Sequence, residues 1–520
     1  MSASNYSEKG PPSTSTARKQ DHSGGGDVDV GTSVITTAGS QALHRKLRGK
    51  EVQLFAIGGA IGTSLYVQMG SALPKGGPAG LFLAFVIWGS VMWAVNECFA
   101  EMVTYLPVPS PFIRFSGEWV DDALGFAMAW NFFLNMAFLV PFEIVALNIM
   151  ITYWTDKVPV EAIIVAMIVL YAVLNVVTVR YFGVSEFYLS IFKVMLMIGL
   201  FFFTFITMVG GNPLHDIYGF RYWKDPGAFV EHLTPGNTGR FLGIISCMYQ
   251  ASFSICGPEY ISMVAAETES PRKILPPAFR SFVWRILFFF VGSALCMGIV
   301  IPYNDSTLAA ILGGEASGSG TGAASPYIIA MTREWYTILC DSRSPWNVTP
   351  GLCSKGLFQV HTGRRTDLRA FICSVFLSTG FPAVTCCQLL NYGFTAVTYR
   401  HYFAALKKQG LSRDTLPYKG RFQPYTSYFA MGGTLFMLLA AGYDLFLDGG
   451  WDVMWFFLTY GMIGFFIVVF IAWKVFHRTS YVRPGSADVS LGGLKEEIDD
   501  YEALYVAREP SKVSKWLRFE

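Results

Sequence analysis

The feature that most constrains the fold is a series of apolar runs about as long as a membrane is thick. Roughly 20 apolar residues are needed for a helix to cross about 30 Å of hydrocarbon. Ten stretches have this character, near 54–66, 81–105, 123–153, 158–179, 187–209, 241–265, 282–301, 371–395, 428–447 and 453–473. The chain is 52% hydrophobic and 15% charged, whereas soluble proteins carry about 25% charged residues. We therefore predict an all-α polytopic membrane protein with about ten clear spans.

The distribution of charge predicts which side of the membrane each end occupies. Arg45, Lys46, Arg48 and Lys50 precede the first span, and such clusters stay in the cytosol under the positive-inside rule. The pattern predicts cytosolic N- and C-termini. It divides the chain into a disordered tail at 1–43, a transporter domain at 44–478 and a solvated cytosolic tail at 479–520.

The interval 327–370 is atypical for a membrane domain. It begins with the apolar Tyr327–Met331 and then carries nine ionised residues, so it cannot span as written. The segment 302–326 is acidic and is predicted to lie outside, whereas the loop that begins at Arg400 is basic and is predicted to lie in the cytosol. An odd number of spans must therefore separate 326 from 400. The single run at 371–395 satisfies that parity, and three spans would do so as well.

The first span contains glycines and hydroxyls that are unusual in a continuous membrane helix. Its sequence from Ile57 to Ser64 is IGGAIGTS. An unwound turn is tolerated in a bilayer only where protein covers it or where it lines a watery cavity, and transporters bind substrates and ions at such turns. The alternative is close helix packing, because Gly58 and Gly62 form a small-xxx-small pair.

The sixth span contains a second predicted break. Gly257 relaxes the backbone and Pro258 is suited to begin a new half-helix. Glu259 would then lie in the first helical turn, either as a functional carboxylate or as a capping charge. Two broken helices five spans apart are what a pair of inverted five-helix repeats would produce.

Two further ionisable residues within predicted spans indicate function. Lys193 lies in the fifth span, where a desolvated amine can lose its proton and so carry one, or can instead extend to the interface. Glu143 follows Pro141 in the third span, where its carboxylate could meet an ammonium group or form a fixed ion pair.

Glu97 and Glu101 lie one helical turn apart near the cytosolic end of the second span. We expect them to act in structure or gating rather than in substrate contact. The alternative is that they occupy a solvated helix end.

Several classes of protein are not indicated. The sequence lacks HExxH, GxSxG and GxxxxGK[ST] motifs, so no enzyme is predicted. Its nine cysteines include no CxxC pair and predict neither a metal site nor a disulfide framework. The net charge of +2 gives no argument for nucleic-acid binding.

Six groups of residues together resemble the fungal amino-acid permease family of the amino-acid/polyamine/organocation superfamily. They are IGGAIGTSL at 57–65 with GPAG at 77–80, AEMVTYLP at 100–107, VPFE at 140–143, GFRYW at 219–223 with DPGAF at 225–229, ETESPRK at 267–273 with PYND at 302–305, and KKQG, LPY and FQPY between 407 and 425. The resemblance covers about 43–330 and 375–480.

The resemblance implies an inverted five-helix-repeat fold and proton-coupled uptake of amino acids at the plasma membrane. It implies that the substrate carboxylate binds the first broken helix, here Gly58, Gly59, Ala60, Ile61, Gly62, Thr63 and Ser64. The substrate's amino group would face Phe253, Ser254 and Ile255 beside Gly257. Lys193, Glu143, Glu259 and Glu101 are the candidate coupling and gating residues. The expected partners are an amino acid, a proton and the bilayer, with a proton gradient in place of a cofactor.

The sequence also departs from the family. The family has twelve spans, and its eighth and ninth would fall in the polar interval 327–370. Cys256 and Pro258 replace the more usual Gly and Thr, which leaves substrate choice open. We therefore keep three alternatives: a substrate-binding sensor, a transport-defective permease, and a carrier of carnitine or polyamines.

Overall fold

The computed structural model describes most of the chain from the start of the second predicted span onward. The described residues are Leu47, Gly49, Val52, Gln53, Gly62, Ser64 and Leu65, and the ranges 69–152, 158–176, 179–212, 215–312, 325–340, 368–447 and 449–508. Within them the structure is helical and contains no β-strand, apart from an isolated bridge between Leu47 and Thr268. Most of the predicted first span and residues 341–367 of the polar interval lie outside the described residues.

Sixteen α-helices are labelled in chain order within the described ranges. They are α1 Met69–Tyr105, α2 Pro111–Phe115, α3 Asp122–Thr152, α4 Val160–Val176, α5 Val179–Ile206, α6 Arg221–Lys224, α7 Gly236–Ser254, α8 Pro258–Met263, α9 Pro271–Arg285, α10 Gly292–Val300, α11 Ser306–Leu312, α12 Pro326–Cys340, α13 Leu368–Lys408, α14 Tyr425–Ala440, α15 Val453–His477 and α16 Leu494–Arg508. A π-helical segment, Ile286–Val291, joins α9 to α10.

Six of the described helical segments are long and apolar enough to cross a membrane. They are Met69–Tyr105, Asp122–Asn148, Tyr188–Gly211, Gly236–Glu267, Pro271–Val300 and Val453–His477. The chain is thus a helical, multi-pass membrane protein, as predicted. The total of ten spans and the inverted repeat remain predictions. The helix α12 has 15 residues, fewer than the roughly 20 that a span needs.

Helix α1 changes direction near its start and packs closely on α7. Gly77 has φ 73°, which glycine adopts without steric cost. A Cβ on Gly243 of α7 would lie 2.5 Å from the carbonyl oxygen of Lys75, and one on Gly76 would lie 2.4 Å from Cys247 Sγ. Glycines therefore allow the two backbones to approach, as small residues do between membrane helices.

The core is aromatic on the predicted cytosolic side. The rings of Phe115 and Trp119 stack with centroids 4.2 Å apart, and Trp119 stacks on Tyr402 of α13 at 4.8 Å. These three side chains are fully buried. Large apolar residues of α5 and α15 are exposed instead, including Phe202 and Val468, as expected for helices that face lipid.

The prediction of a solvated C-terminal tail is wrong for its described part. Between His477 and α16 the chain buries Ala487, Val489 and Leu491, and α16 buries Ile498. The tail contains enough apolar residues to pack against the membrane domain. The charged residues around 496–500 had instead indicated a solvated segment.

Candidate functional site

The sixth predicted span is interrupted where the sequence indicated. Helix α7 ends at Ser254, Ile255 is extended, and Gly257 has φ 143° and ψ −28°. A side chain at Gly257 would strain that conformation, and Pro258 starts α8 at a position where a missing N–H costs nothing. The interruption therefore follows from local sequence.

Glu259 lies in the first turn of α8, buried and bonded on both carboxylate oxygens. The Gly257 amide donates to Oε2 at 3.2 Å, and the Tyr392 hydroxyl of α13 donates to Oε1 at 2.8 Å. Gln388 Nε2 donates in turn to the Tyr392 hydroxyl at 3.3 Å. Glu259 thus does more than cap its own helix, because it connects the break to α13.

A cavity adjoins this carboxylate. Its volume is about 10 Å³, room for about one water molecule, and it is lined by Phe99, Phe112, Phe132, Asn135, Met136, Glu259, Gln388, Asn391 and Tyr392. Glu259 is the one ionisable acid among these lining residues, and the remaining polar groups are amides and a phenol. These groups can donate and accept hydrogen bonds, but in this conformation the cavity has room for no more than a water molecule and must widen to admit a ligand.

An aromatic cluster lies on the α7 side of the break; we call it the outer aromatic layer. Phe253 packs against Phe142 of α3 with centroids 5.3 Å apart and against Phe381 of α13 at 4.6 Å. Tyr249, one turn earlier on α7, meets Phe381 at 5.3 Å. On α3 and α13 this layer lies within about two turns of the cavity residues Met136 and Gln388.

A second cluster, the inner aromatic layer, lies at the other end of the cavity. Phe112 of α2 packs edge-on against Phe99 of α1 at 5.7 Å and against Phe132 of α3 at 5.2 Å. Phe99 and Phe112 are fully buried. Aromatic side chains therefore bound the cavity on both sides along the direction of the helices.

Amide side chains fix the spacing between α3 and α13 beside the cavity. Asn131 Nδ2 donates to Cys387 O at 2.8 Å and to Asn391 Oδ1 at 3.0 Å. Asn135 Nδ2 donates to Val384 O at 3.3 Å. These hydrogen bonds position Asn391 at the cavity wall.

The other sequence-predicted residues have different positions relative to the break. Glu143 is half-buried on α3. Lys193 is half-buried on α5, one turn before Met197, whose Sδ lies 3.1 Å from Ser293 of α10. Phe253, Ser254, Ile255 and Gly257 form the break itself.

Of the first broken helix, Gly62 and Ser64 are described. Ser64 is buried, and the Leu65 amide donates to Gly62 O at 3.2 Å. Gly58, Gly59, Ala60, Ile61 and Thr63 lie outside the described residues. The carboxylate-binding role of this segment stays a prediction.

Glu97 and Glu101 are buried, which excludes the solvated helix end. The Arg413 side chain donates to Glu101 through Nε at 2.9 Å and Nη2 at 2.6 Å, and the Gly420 amide donates at 2.7 Å. The Tyr418 hydroxyl lies 3.0 Å from both oxygens of Glu97. Both carboxylates thus hold the loop between α13 and α14 against α1, at a distance from the cavity.

Sequence reasoning missed several polar residues of the site. Gln388, Asn391 and Tyr392 share one face of α13 at helical spacing, and Asn131 and Asn135 are one turn apart on α3. This periodicity within apolar spans was the available signal. The sequence analysis did not single out Arg285 either, which is buried at the end of α9 and donates through Nη2 to Ala278 O at 3.1 Å.

The comparison with known families decides the identity. The model of the family described as "Amino acid permease" matches residues 51–339 and 375–483. The chain belongs to the amino acid permease family. The two matched ranges leave out 340–374, which overlaps most of the atypical interval 327–370.

Individual relatives of this permease are fungal transporters. It is 36% identical to the general amino acid permease AGP2 of Saccharomyces cerevisiae, over 83% of this chain and 79% of the relative. It is 32% identical to a proline-specific permease of Emericella nidulans, over 90% and 92%. A lysine-specific permease of Saccharomyces cerevisiae is 29% identical over 88% and 79%. These relatives are transporters rather than enzymes, in agreement with the sequence.

Proposed function

We propose that this permease imports amino acids across the plasma membrane by alternating access, driven by a proton gradient and with both termini in the cytosol. The observation that supports the proposal most is the cavity beside the broken helix α7–α8, bounded by an aromatic layer on each side. A transporter must close its site to both sides in turn, and paired layers around an interrupted helix suit that requirement.

The first broken helix would supply the second half of the site. Its backbone amides and hydroxyls at 58–64 are proposed to bind the substrate carboxylate, and the carbonyls of Phe253, Ser254 and Ile255 to bind the amino group. Lys193 is proposed to carry the coupled proton. Glu143, Glu259 and Glu101 are proposed to act in coupling or gating.

The test is uptake of labelled amino acids into cells that express the full chain, measured across external pH. Uptake is expected to rise as the external pH falls and to be lost in Lys193→Ala. Lys224→Ala, at an exposed position in the short helix α6, is the control. Uptake that does not change with pH would overturn the coupling.

A carrier of organocations is the second candidate. Glu259 is the one carboxyl group lining the cavity, and no basic side chain lines it, so its surface favours a cationic substrate over an anionic one. Inhibition of labelled amino-acid uptake by carnitine or spermidine would favour the organocation carrier, and uptake unaffected by either compound would favour the amino-acid permease. Binding without accumulation in vesicles would instead support the sensor alternative.

A further inference from the structure

The C-terminal tail is attached to the helices that surround the inner end of the site. The backbone amide of Val482 donates to Val120 O at 2.9 Å, in the segment that follows α2. Val482 O lies 2.8 Å from Nε2 of His401 on α13. One residue of the tail therefore joins two parts of the membrane domain that lie far apart in sequence.

Attachment continues along the next residues of the tail. Trp119 Nε1 donates to Asp488 O at 3.0 Å, and Gln409 Nε2 donates to Ala487 O at 2.7 Å. Ala487 is 2% exposed. These contacts combine hydrogen bonds with apolar burial, so this part of the tail is packed against the membrane domain.

Helix α16 then reaches the loop that follows the inner half of the broken helix. Arg272 pairs with Asp499 through its guanidinium, and its backbone amide donates to Glu502 Oε1 at 2.9 Å. The Tyr501 hydroxyl donates to Glu269 O at 3.1 Å. Although burial alone would raise the pKa of Asp499, hydrogen bonds from Lys495 and Arg272 hold it below its ordinary value.

The same loop is bonded to the chain just before the first predicted span. The amide of Leu47 donates to Glu267 O at 3.0 Å, and the amide of Glu269 donates to Leu47 O at 3.1 Å. The loop begins directly after α8, which carries Glu259. The segment before the first predicted span and the segment after α8 are therefore joined to each other and then to the tail.

We propose that residues 481–502 form a latch that keeps the inner side of the site closed, by holding the 264–272 loop against α13 and the segment after α2. The proposal rests on the proposed alternating access, in which the inner halves of the broken helices move apart to release substrate. The loop cannot leave α13 while α16 binds Arg272 and the preceding tail binds His401 and Gln409. Release of the latch raises the fraction of molecules that are open inward.

The test breaks the Arg272–Asp499 pair by charge reversal, Arg272→Glu, in the purified full chain in lipid nanodiscs. Hydrogen exchange is read for 481–502, for 258–269 and for 236–250, and the alkylation rate of Cys256 at the break is measured on the same samples. Exchange in 481–502 and 258–269 and alkylation of Cys256 are expected to rise about three- to fivefold, the effect of losing one partly exposed ion pair. Exchange in 236–250 is expected to stay unchanged.

Two variants complete the design. Arg272→Glu combined with Asp499→Arg restores a pair of opposite charges and is expected to return the rates toward those of the unmodified protein. Arg483→Glu makes the same charge change at an exposed position of the tail and is expected to change nothing. If 481–502 loosens while 258–269 and Cys256 keep their original rates, the latch is overturned. Neither readout requires transport, so a failure of the proposed uptake would leave this test intact.

Discussion

The hydroxyl of Tyr392 donates a 2.8 Å hydrogen bond to Oε1 of Glu259 and so joins α13 to the first turn after the helix break. The second oxygen of Glu259 accepts from the Gly257 amide. One carboxylate thus holds the break and one wall of the cavity in a fixed relation.

Removal of that hydroxyl, in Tyr392→Phe, should lower the initial rate of amino-acid uptake at low substrate concentration by about three- to tenfold, because a hydrogen bond within a protein contributes about 0.5–1.5 kcal/mol. Initial uptake at several substrate concentrations gives the rate and KM. Tyr402→Phe is the control on the same helix, because the Tyr402 hydroxyl has no hydrogen-bond partner among the described residues. Equal uptake in the two variants would contradict the role of Tyr392.

Glu101→Gln should destabilise the permease by about 2–4 kcal/mol, since it removes the charge from a buried pair. Glu101 is fully buried, whereas the side chain of Arg413 remains 18% exposed, which reduces the cost. The measurement is thermal unfolding of the detergent-solubilised protein. Glu118→Gln, at an exposed position, should unfold like the unmodified protein. A similar result for Glu101→Gln would argue against a stabilising pair between Glu101 and Arg413.

Gly243→Ala should force α1 and α7 apart. The added Cβ would lie 2.5 Å from the carbonyl oxygen of Lys75, a backbone atom that cannot move away by itself, and overpacking of this kind costs about 1–3 kcal/mol. A lower unfolding temperature is expected. Gly461→Ala on α15 adds the same atom where no other atom lies within 4 Å, and it should not lower stability. Equal unfolding temperatures would show that the two helices tolerate separation.

Asp121 should make stability depend on pH in the acid range. Burial alone would raise its pKa, but hydrogen bonds from Lys474, Thr479 and the Ala123 amide hold the pKa below its ordinary value near 3.9. A carboxylate with a lowered pKa stabilises the fold above the unfolded-state pKa, and this contribution is lost as pH falls through the folded-state pKa.

The matching experiment compares Asp121→Asn with the unmodified protein in thermal unfolding at pH 7 and at progressively lower pH. The variant should be less stable at pH 7 by about 1–3 kcal/mol, and the difference should shrink once the pH falls below about 4. A difference that stays constant down to pH 3 would show that the charge of Asp121 is not responsible.

The sequence alone determined the membrane character of the chain, its helical fold class and the break at Gly257. Each of these is a local property: apolar length sets which segments can cross a bilayer, and a glycine followed by proline interrupts a helix whatever surrounds it. The family could be recognised for the same reason, because its motifs are short and contiguous.

The tertiary structure decided which distant side chains meet. Tyr392 lies 133 residues from Glu259, and Tyr418 lies 321 residues from Glu97, so no periodicity within one helix could pair them. The same limit hid the packed C-terminal tail, whose charged residues resemble a solvated end until Arg272 is placed beside Asp499. Local sequence fixes where helices start, stop and break, but the partners of buried polar groups depend on how those helices pack.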